Sequence, residues 1–193
     1  VGANDERRAR TALSSVLLLA VILGLLVGFG CLQLRPWFAD VLAGGANVEG
    51  AKAEAMAYMG VVFFAVPQNL ILVTGVTALQ ADGDTRSPMW FSLIQGIVNL
   101  GLSWALLWGI GPLPELGIVG AGIGTLASFS LGALLVVGTL WFRKSIVSLR
   151  SFPRPSFEAL RPILRLSGPA FGEKIVFHTA FVIFAAYVGH LGT

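Results

Sequence analysis

Long apolar runs dominate the hydrophobic pattern of this chain, and short polar segments separate them. Five runs are each about 20 residues or longer, the length that an α-helix needs to cross the hydrocarbon core of a bilayer. They occupy residues 12–34, 57–79, 89–110, 116–142 and 166–189. Because apolar and polar positions do not alternate with a period of two, the runs predict helices rather than barrel strands. The predicted fold class is an all-α polytopic membrane protein with five transmembrane helices.

The composition supports this class. Hydrophobic residues make up 55% of the chain and charged residues only 12%, about half the charged fraction of soluble domains. The 24 glycines are also typical of membrane helices, in which small residues let backbones approach closely. The single cysteine, Cys31, cannot form an internal disulfide and is interpreted as a small buried hydrophobe. We predict no metal site and no bound cofactor.

Basic residues are concentrated in alternate polar segments, which orients the chain. They are Arg7, Arg8, Arg10, Arg86, Arg143, Lys144, Arg150, Arg154, Arg161 and Arg165. By the positive-inside rule these segments and the N-terminus are cytoplasmic, in a multi-pass protein of the plasma (inner) membrane. Because the basic residues lie in alternate loops and do not form one patch, the net charge of +3 does not indicate a nucleic-acid partner. The proline-containing segment 143–165 is interpreted as a linker between two helical bundles.

Several polar and small residues inside the runs suggest packing or binding roles. The third run places Ser92, Gln95, Asn99 and Ser103 on one helical face. That face is interpreted either as hydrogen-bonding contacts between helices or as the lining of a substrate cavity. Four small residues at four-residue spacing in the fourth run predict a ridge for close packing. They are Gly120, Gly124, Ser128 and Gly132. Gly24 and Gly28 predict the same in the first run.

The second run contains a proline followed by two carboxamides. Pro67 removes a backbone hydrogen bond and predicts a kink in the helix, with a structural or a hinge role. Gln68 and Asn69 are candidates for lining the substrate cavity. The polar segment between the second and third runs is predicted to be a tight turn, in which Gly83 adopts an unusual dihedral and Asp84 and Thr85 bind local amides.

One carboxylate, Glu173, lies inside the fifth run, whereas the other acids lie in loops or at helix ends. An ionisable group at membrane depth is costly, so it pairs, faces a wet cavity or handles ions. Adjacent Lys174 points away from it on a helix and can extend towards the interface. Glu173 is therefore either a structural hydrogen-bonding acid or a cation-binding carboxylate that switches during transport. His178 is interpreted as a packed polar residue rather than a proton relay.

The chain resembles the multidrug and toxic compound extrusion (MATE) family over nearly its whole length. The segments that carry the resemblance are LQADGDTRSPM, the polar face around Gln95 and Asn99, GPLPELGIVGAGIGTLAS, ILRLSGPAFGEKIVF and VGHLGT. The resemblance implies a twelve-helix transporter with two lobes, of which these runs are the third to seventh helices. Residues 1–142 would then form most of the N-terminal lobe, 143–165 the linker, and 166–193 the first helix of the C-terminal lobe. The chain is accordingly interpreted as an internal fragment whose partners include the missing helices.

The family resemblance also implies a function. Family members export cationic, amphipathic small molecules in exchange for Na⁺ or H⁺, and Glu173 matches an acid implicated in cation coupling. Two alternatives are a lipid-linked oligosaccharide flippase of the same superfamily, whose anionic substrates predict a more basic cavity, and a non-transporting membrane scaffold. An intramembrane enzyme is not predicted, because the sequence has no nucleophile–base or metal-ligand motif.

Overall fold

A computed structural model of the chain describes residues 3–42, 49–143, 148–149 and 155–191. These ranges contain seven α-helices, the 3₁₀ turn Phe63–Ala65 and no strand. The helices are α1 (Ala3–Gln33), α2 (Arg35–Leu42), α3 (Glu49–Val62), α4 (Val66–Ala81), α5 (Arg86–Trp108), α6 (Gly117–Phe142) and α7 (Phe157–Leu191). The predicted all-α fold is confirmed.

Four helical stretches in the described ranges are long and apolar enough to cross a membrane. They are Arg8–Gln33, Lys52–Ala81, Arg86–Trp108 and Gly117–Phe142, and they match the first four predicted runs. The predicted fifth run, 166–189, lies within α7, and several of its side chains fall outside the described part of the chain.

The helix that contains the fifth run begins before that run. α7 begins at Phe157 and continues through Pro162 and Pro169, so the last part of the predicted linker 143–165 is helical. A proline inside a helix removes one hydrogen bond and bends the axis, but neighbouring residues can continue the helix. Residues 144–147 and 150–154 of the linker lie outside the described ranges.

The second predicted run is divided at Pro67. A 3₁₀ turn, Phe63–Ala65, separates α3 from α4, and Pro67 lies in the first turn of α4. Pro67 has no backbone N–H to donate to the carbonyl four residues earlier, which belongs to Phe63. In the 3₁₀ turn the Val66 N–H donates to the Phe63 carbonyl instead. The change of helix type thus satisfies the group that proline would leave unpaired.

The broken helix packs against the two small residues of α1. A Cβ atom at Gly24 would lie 2.5 Å from the Pro67 Cα, and a Cβ atom at Gly28 would lie 2.9 Å from the Phe63 carbonyl oxygen. Only glycine leaves room for such an approach between two backbones. The predicted packing role of Gly24 and Gly28 is confirmed, and their contact is the 3₁₀ turn and the first turn of α4.

A cluster of buried apolar side chains lies at one end of the bundle, where α1 begins, α4 meets α5 and α6 ends. We call this the basic end, because Arg8, Arg86 and Arg143 lie there. Eight buried apolar side chains form this cluster: Leu13, Leu17, Leu72, Leu79, Phe91, Val136, Leu140 and Leu149. They come from α1, α4, α5, α6 and the segment after α6, so this cluster joins four spans and the start of the linker.

The turn between α4 and α5 is held by Asp84. Gly83 has a φ of +85°, as the sequence predicts for this turn. The Asp84 carboxylate accepts hydrogen bonds from the backbone N–H groups of Arg86 (3.1 Å) and Ser87 (3.0 Å). It also accepts the Ser87 hydroxyl at 2.6 Å and forms an ion pair with Arg143 at the end of α6. The predicted role of Thr85 is wrong, since its side chain does not cap the helix.

These contacts hold the Asp84 carboxyl in its charged form. Hydrogen bonds from the Ser87 hydroxyl and backbone, and then from Arg143, lower its pKa well below the ordinary value. In the folded state the pKa therefore lies below the unfolded value of about 3.9. The stabilisation by the carboxylate is fully present above about pH 4 and is lost as the pH falls further.

We expect Asp84→Asn to lower the unfolding temperature of the full-length protein in detergent by several degrees at pH 7. The asparagine has no charge to pair with Arg143, and its amide nitrogen cannot accept the hydrogen bonds that the carboxylate accepts. The difference from wild type should stay constant between pH 7 and about pH 5 and shrink towards pH 3. The control is Asp40→Asn, which removes an exposed ion pair with Lys52 and should have little effect. Equal effects of the two variants at pH 7 would contradict the assignment.

Candidate functional site

The polar face of α5 lies against the small-residue ridge of α6. A Cβ atom at Gly124 would lie 2.8 Å from the Ser103 nitrogen, and one at Gly120 would lie 2.7 Å from the Leu106 carbonyl oxygen. Ser128 faces Asn99, and a Cβ atom at Gly132 would lie 3.3 Å from the Gln95 Oε1 atom. The predicted ridge is confirmed, and its partner is the polar face of α5.

Hydrogen bonds join the two helices near their middle. The Asn99 side-chain amide donates to the hydroxyl oxygens of Thr125 and Ser128, each at 3.3 Å. These hydroxyls donate in turn to backbone carbonyls of α6, Thr125 to Ala121 at 3.0 Å and Ser128 to Thr125 at 2.9 Å. Each hydroxyl therefore acts as donor and acceptor at once. Asn99 thus links α5 to α6 by hydrogen bonds.

Beside these hydrogen bonds the same surfaces line an open cavity. Its volume is about 460 Å³, and its lining comprises Ser92, Gln95, Gly96, Asn99, Thr125, Ser128 and Phe129. None of the lining residues is charged. The cavity offers carboxamide and hydroxyl groups beside one aromatic ring, within helices whose other exposed faces are apolar. Such a surface can hydrogen-bond an amphipathic molecule and contact its apolar part.

Two predicted cavity residues, Gln95 and Asn99, are thus brought together, and α6 contributes lining residues that the sequence reading missed. Thr125 lies next to Gly124 of the ridge, and Phe129 lies next to Ser128. A helical projection of α6 that marks residues beside the ridge would have indicated both.

The other two predicted cavity residues lie elsewhere. Gln68 and Asn69 are in the first turn of α4, directly after Pro67, and neither lines the cavity between α5 and α6. The Gln68 Oε1 atom is buried and accepts no hydrogen bond from the described part of the chain. Both residues, and a hinge role for Pro67, stay predictions.

Glu173 lies in the middle of α7, away from this cavity. The residues from Phe171 to Ala180 are all exposed, and α7 contacts α1 near its own beginning, where Ser156 bonds Ser15. Among the described residues Glu173 makes no ion pair, and the ring of His178 bonds the Lys174 carbonyl of its own helix at 2.8 Å. The coupling role of Glu173 stays a prediction, because no helix of the described part packs against this stretch.

Comparison with known proteins finds relatives that match almost the whole chain. The chain is 27% identical over 201 residues to a probable multidrug resistance protein NorM of Thermotoga maritima, covering 98% of this chain. It is 31% identical over 198 residues to an FAD transporter of Shewanella oneidensis, covering 99% of this chain. The chain spans 42% of the length of each relative.

A solved structure shares the fold. It is described as the inward-facing conformation of a multidrug resistance MATE family transporter of the MOP superfamily, and the match has a TM-score of 0.65 with 22% sequence identity. The match covers 83% of this chain and 41% of that structure. The four-span bundle described above is therefore part of a known fold.

A family model agrees with both comparisons. The MatE model matches residues 1–105, more than half of the 193 residues and the region that contains α1 to α4 and most of α5. With the helical fold and the small-residue packing between spans, this match confirms the resemblance stated from the sequence. The chain is a multi-pass membrane protein that belongs to the MatE family.

Proposed function

We propose that this chain is part of a secondary active multidrug exporter, which exchanges cationic or amphipathic small molecules for Na⁺ or H⁺ across the plasma membrane. The observation that carries the proposal is the open cavity between α5 and α6, whose lining includes carboxamide and hydroxyl groups within helices that otherwise expose apolar side chains. Buried polar groups in a membrane are costly unless they pair or meet a ligand or water. The names of the relatives and of the structural neighbour support the same activity.

The proposed orientation places the basic end on the cytoplasmic side. Arg8, Arg86 and Arg143 all lie at that end, and the positive-inside rule favours the cytoplasm for such segments. Tryptophans near both ends of the spans support placing these ends at the two membrane interfaces. Trp90 and Trp141 are half-exposed or more near the basic end, as are Trp37 and Trp108 near the other, and tryptophan is enriched at both interfaces.

Glu173 is proposed to bind the coupling ion in a second lobe that begins with α7. This assignment is supported by the difference in burial between α6, which packs against α5, and the middle of α7, which is exposed. The ridge of α6 is buried against α5, whereas α7 leaves Phe171–Ala180 exposed on every side. A carboxylate in such an apolar stretch needs further helices around it. Binding of a cation there would change the charge of the site and bias the two lobes between inward-open and outward-open states.

A second candidate substrate is a flavin dinucleotide, because the Shewanella oneidensis relative named FAD transporter is 31% identical. FAD carries a pyrophosphate, which basic groups or backbone N–H groups bind well. The cavity between α5 and α6 has no charged lining residue. An amphipathic molecule without phosphate groups, whose apolar part contacts Phe129, therefore suits this cavity better.

The proposal predicts ion-driven dye efflux from proteoliposomes that contain the full-length protein. Efflux of a cationic dye should follow an imposed Na⁺ or H⁺ gradient and stop when the gradient is dissipated. Gln95→Leu should slow efflux at least several-fold without lowering the unfolding temperature, because it removes a carboxamide from the cavity. The control Thr77→Val removes an exposed hydroxyl that bonds its own helix, and it should leave efflux unchanged.

Three outcomes separate the possibilities. Gradient-driven export of FAD but not of dye would favour the second candidate. Export of neither compound by a well-folded protein would contradict the exporter proposal. Wild-type efflux by Gln95→Leu would keep the exporter and remove the cavity from the substrate path.

A further inference from the structure

A second cavity, larger than the first, opens at the basic end between the second and third turns of α1 and the first two turns of α7. Its volume is about 770 Å³. Its lining comprises Arg8, Ala9, Thr11, Ala12, Ser156, Glu158, Ala159, Pro162 and Ile163. None of these residues belongs to the site proposed for the substrate, and none lies near Glu173 in the sequence.

The two walls of this cavity are held together by specific contacts. The Ser156 N–H donates to the Ser15 hydroxyl oxygen at 3.0 Å, and Ser15 donates to the Thr11 carbonyl at 2.7 Å. Ser15 is only 1% exposed, so water does not compete for this bond. Leu149, earlier in the linker, belongs to the same buried cluster as Leu13. The start of α7 is therefore anchored to α1 rather than loosely placed.

The depth and the surface of the cavity suit a lipid headgroup. Arg8 is the first residue of the candidate span Arg8–Gln33, so the cavity lies at the level where the chain enters the membrane. One part of the lining is apolar, from Ala9 and Ala12 on α1 to Pro162 and Ile163 on α7. A glycerol backbone and the first carbons of an acyl chain would contact this part.

The two charged residues of the cavity indicate which lipid headgroup it would bind. Arg8 and Glu158 both line the cavity and both are exposed, and no ion pair joins them in the described part of the chain. A guanidinium binds a phosphate through charge-assisted hydrogen bonds, and a carboxylate accepts the N–H groups of an ammonium. Phosphatidylethanolamine carries a phosphate and a primary ammonium two carbons apart. Phosphatidylglycerol has no ammonium, and the ammonium of phosphatidylcholine has no N–H to donate.

We propose that this cavity binds the headgroup of a phosphatidylethanolamine molecule from the adjoining leaflet, with Arg8 at its phosphate and Glu158 at its ammonium. The bound lipid would bridge α1 and α7, which belong to different lobes under the proposed function. The inference depends on the membrane position of the basic end and not on any transported substrate.

The test is lipid binding to the full-length protein in detergent, followed by native mass spectrometry. Phosphatidylethanolamine, phosphatidylglycerol and phosphatidylcholine with identical acyl chains are titrated separately. We expect the tightest site to prefer phosphatidylethanolamine to phosphatidylcholine. Arg8→Ala should weaken binding of phosphatidylethanolamine and phosphatidylglycerol by about fivefold, the usual contribution of one basic residue at a membrane surface. Glu158→Gln should weaken only the binding of phosphatidylethanolamine.

The matched control is Arg86→Ala, which removes another exposed basic side chain of the same end outside the cavity. It should leave the tightest site unchanged. Equal losses for Arg86→Ala and Arg8→Ala would mean general surface attraction and would overturn the proposal. Equal affinity of wild type for all three lipids, or absence of any retained lipid, would overturn it as well. This test does not measure dye or FAD efflux. A failure of the lipid proposal can therefore be distinguished from a failure of the exporter proposal.

Discussion

Replacing Glu173 by Gln is expected to abolish gradient-driven efflux by the full-length protein. Glutamine keeps the size of the side chain but can neither bind Na⁺ through a charged oxygen nor take up a proton. Glu173 lies in a stretch of α7 whose neighbours Phe171, Ile175 and Val176 are apolar and at least half exposed. Under the proposed function, further helices of the full-length protein are expected to cover this stretch, where an unpaired charge is costly. Ion binding at Glu173 is therefore expected to alter the balance between the two states strongly.

The measurement is dye efflux from proteoliposomes with equal amounts of wild-type and variant protein. Glu173→Asp should retain part of the rate, because it keeps the charge with a shorter side chain. Glu54→Gln, an exposed acid on α3, serves as the control and should transport like wild type. Efflux by Glu173→Gln at the wild-type rate would remove this residue from the coupling mechanism. Loss of efflux in Glu54→Gln as well would show that the assay responds to any lost acid.

The largest expected effect on stability comes from Gly24→Ala. The added Cβ atom would lie 2.5 Å from the Pro67 Cα and 3.2 Å from the Pro67 nitrogen. Because backbone atoms cannot move aside as the end of a flexible side chain can, α1 and α4 have to separate. Such overpacking costs about 1–3 kcal/mol in protein interiors. The separation would also disturb the Phe63–Ala65 turn, where a Cβ atom at Gly28 would lie 2.9 Å from the Phe63 carbonyl oxygen.

Thermal unfolding of the full-length protein in detergent measures this effect. The matched control is Gly30→Ala on the same helix, where an added Cβ atom would meet nothing within 4 Å. Alanine is favoured over glycine in a helix by about 0.5–1 kcal/mol, so this control should be neutral or slightly stabilising. A Gly24→Ala protein as stable as the Gly30→Ala protein would mean that α1 and α4 do not pack closely at Pro67.

The proposed function assigns substrate binding to the cavity between α5 and α6 and ion coupling to Glu173, and different observations support the two assignments. The cavity between α5 and α6 is formed by residues 92–99 and 125–129, all within described helices, so cavity variants test local geometry. Glu173 is supported by its position in an apolar run and by the family resemblance. The two sets of variants can therefore fail independently, which separates substrate binding from ion coupling.

The sequence by itself determined the helices, the first four spans and the residues suited to close packing. Each of these properties is encoded within one run of about 20 residues, through apolar length and through three- and four-residue spacing. The same local pattern indicated Pro67 as a break and Glu173 as an unusual acid. It did not indicate that α7 begins at Phe157, before the apolar run, because a proline bends a helix without always ending it.

Only the tertiary structure decided which partners these residues meet. Asn99 could be predicted to face inward, but its bonds to Thr125 and Ser128 join residues 26 and 29 positions apart. The pairing of Asp84 with Arg143 spans 59 positions, and the contact of Gly24 with Pro67 joins two runs. Such contacts depend on how helices cross and on which small residues allow close approach. Helical periodicity identifies a face, whereas the packing of the other helices determines what that face touches.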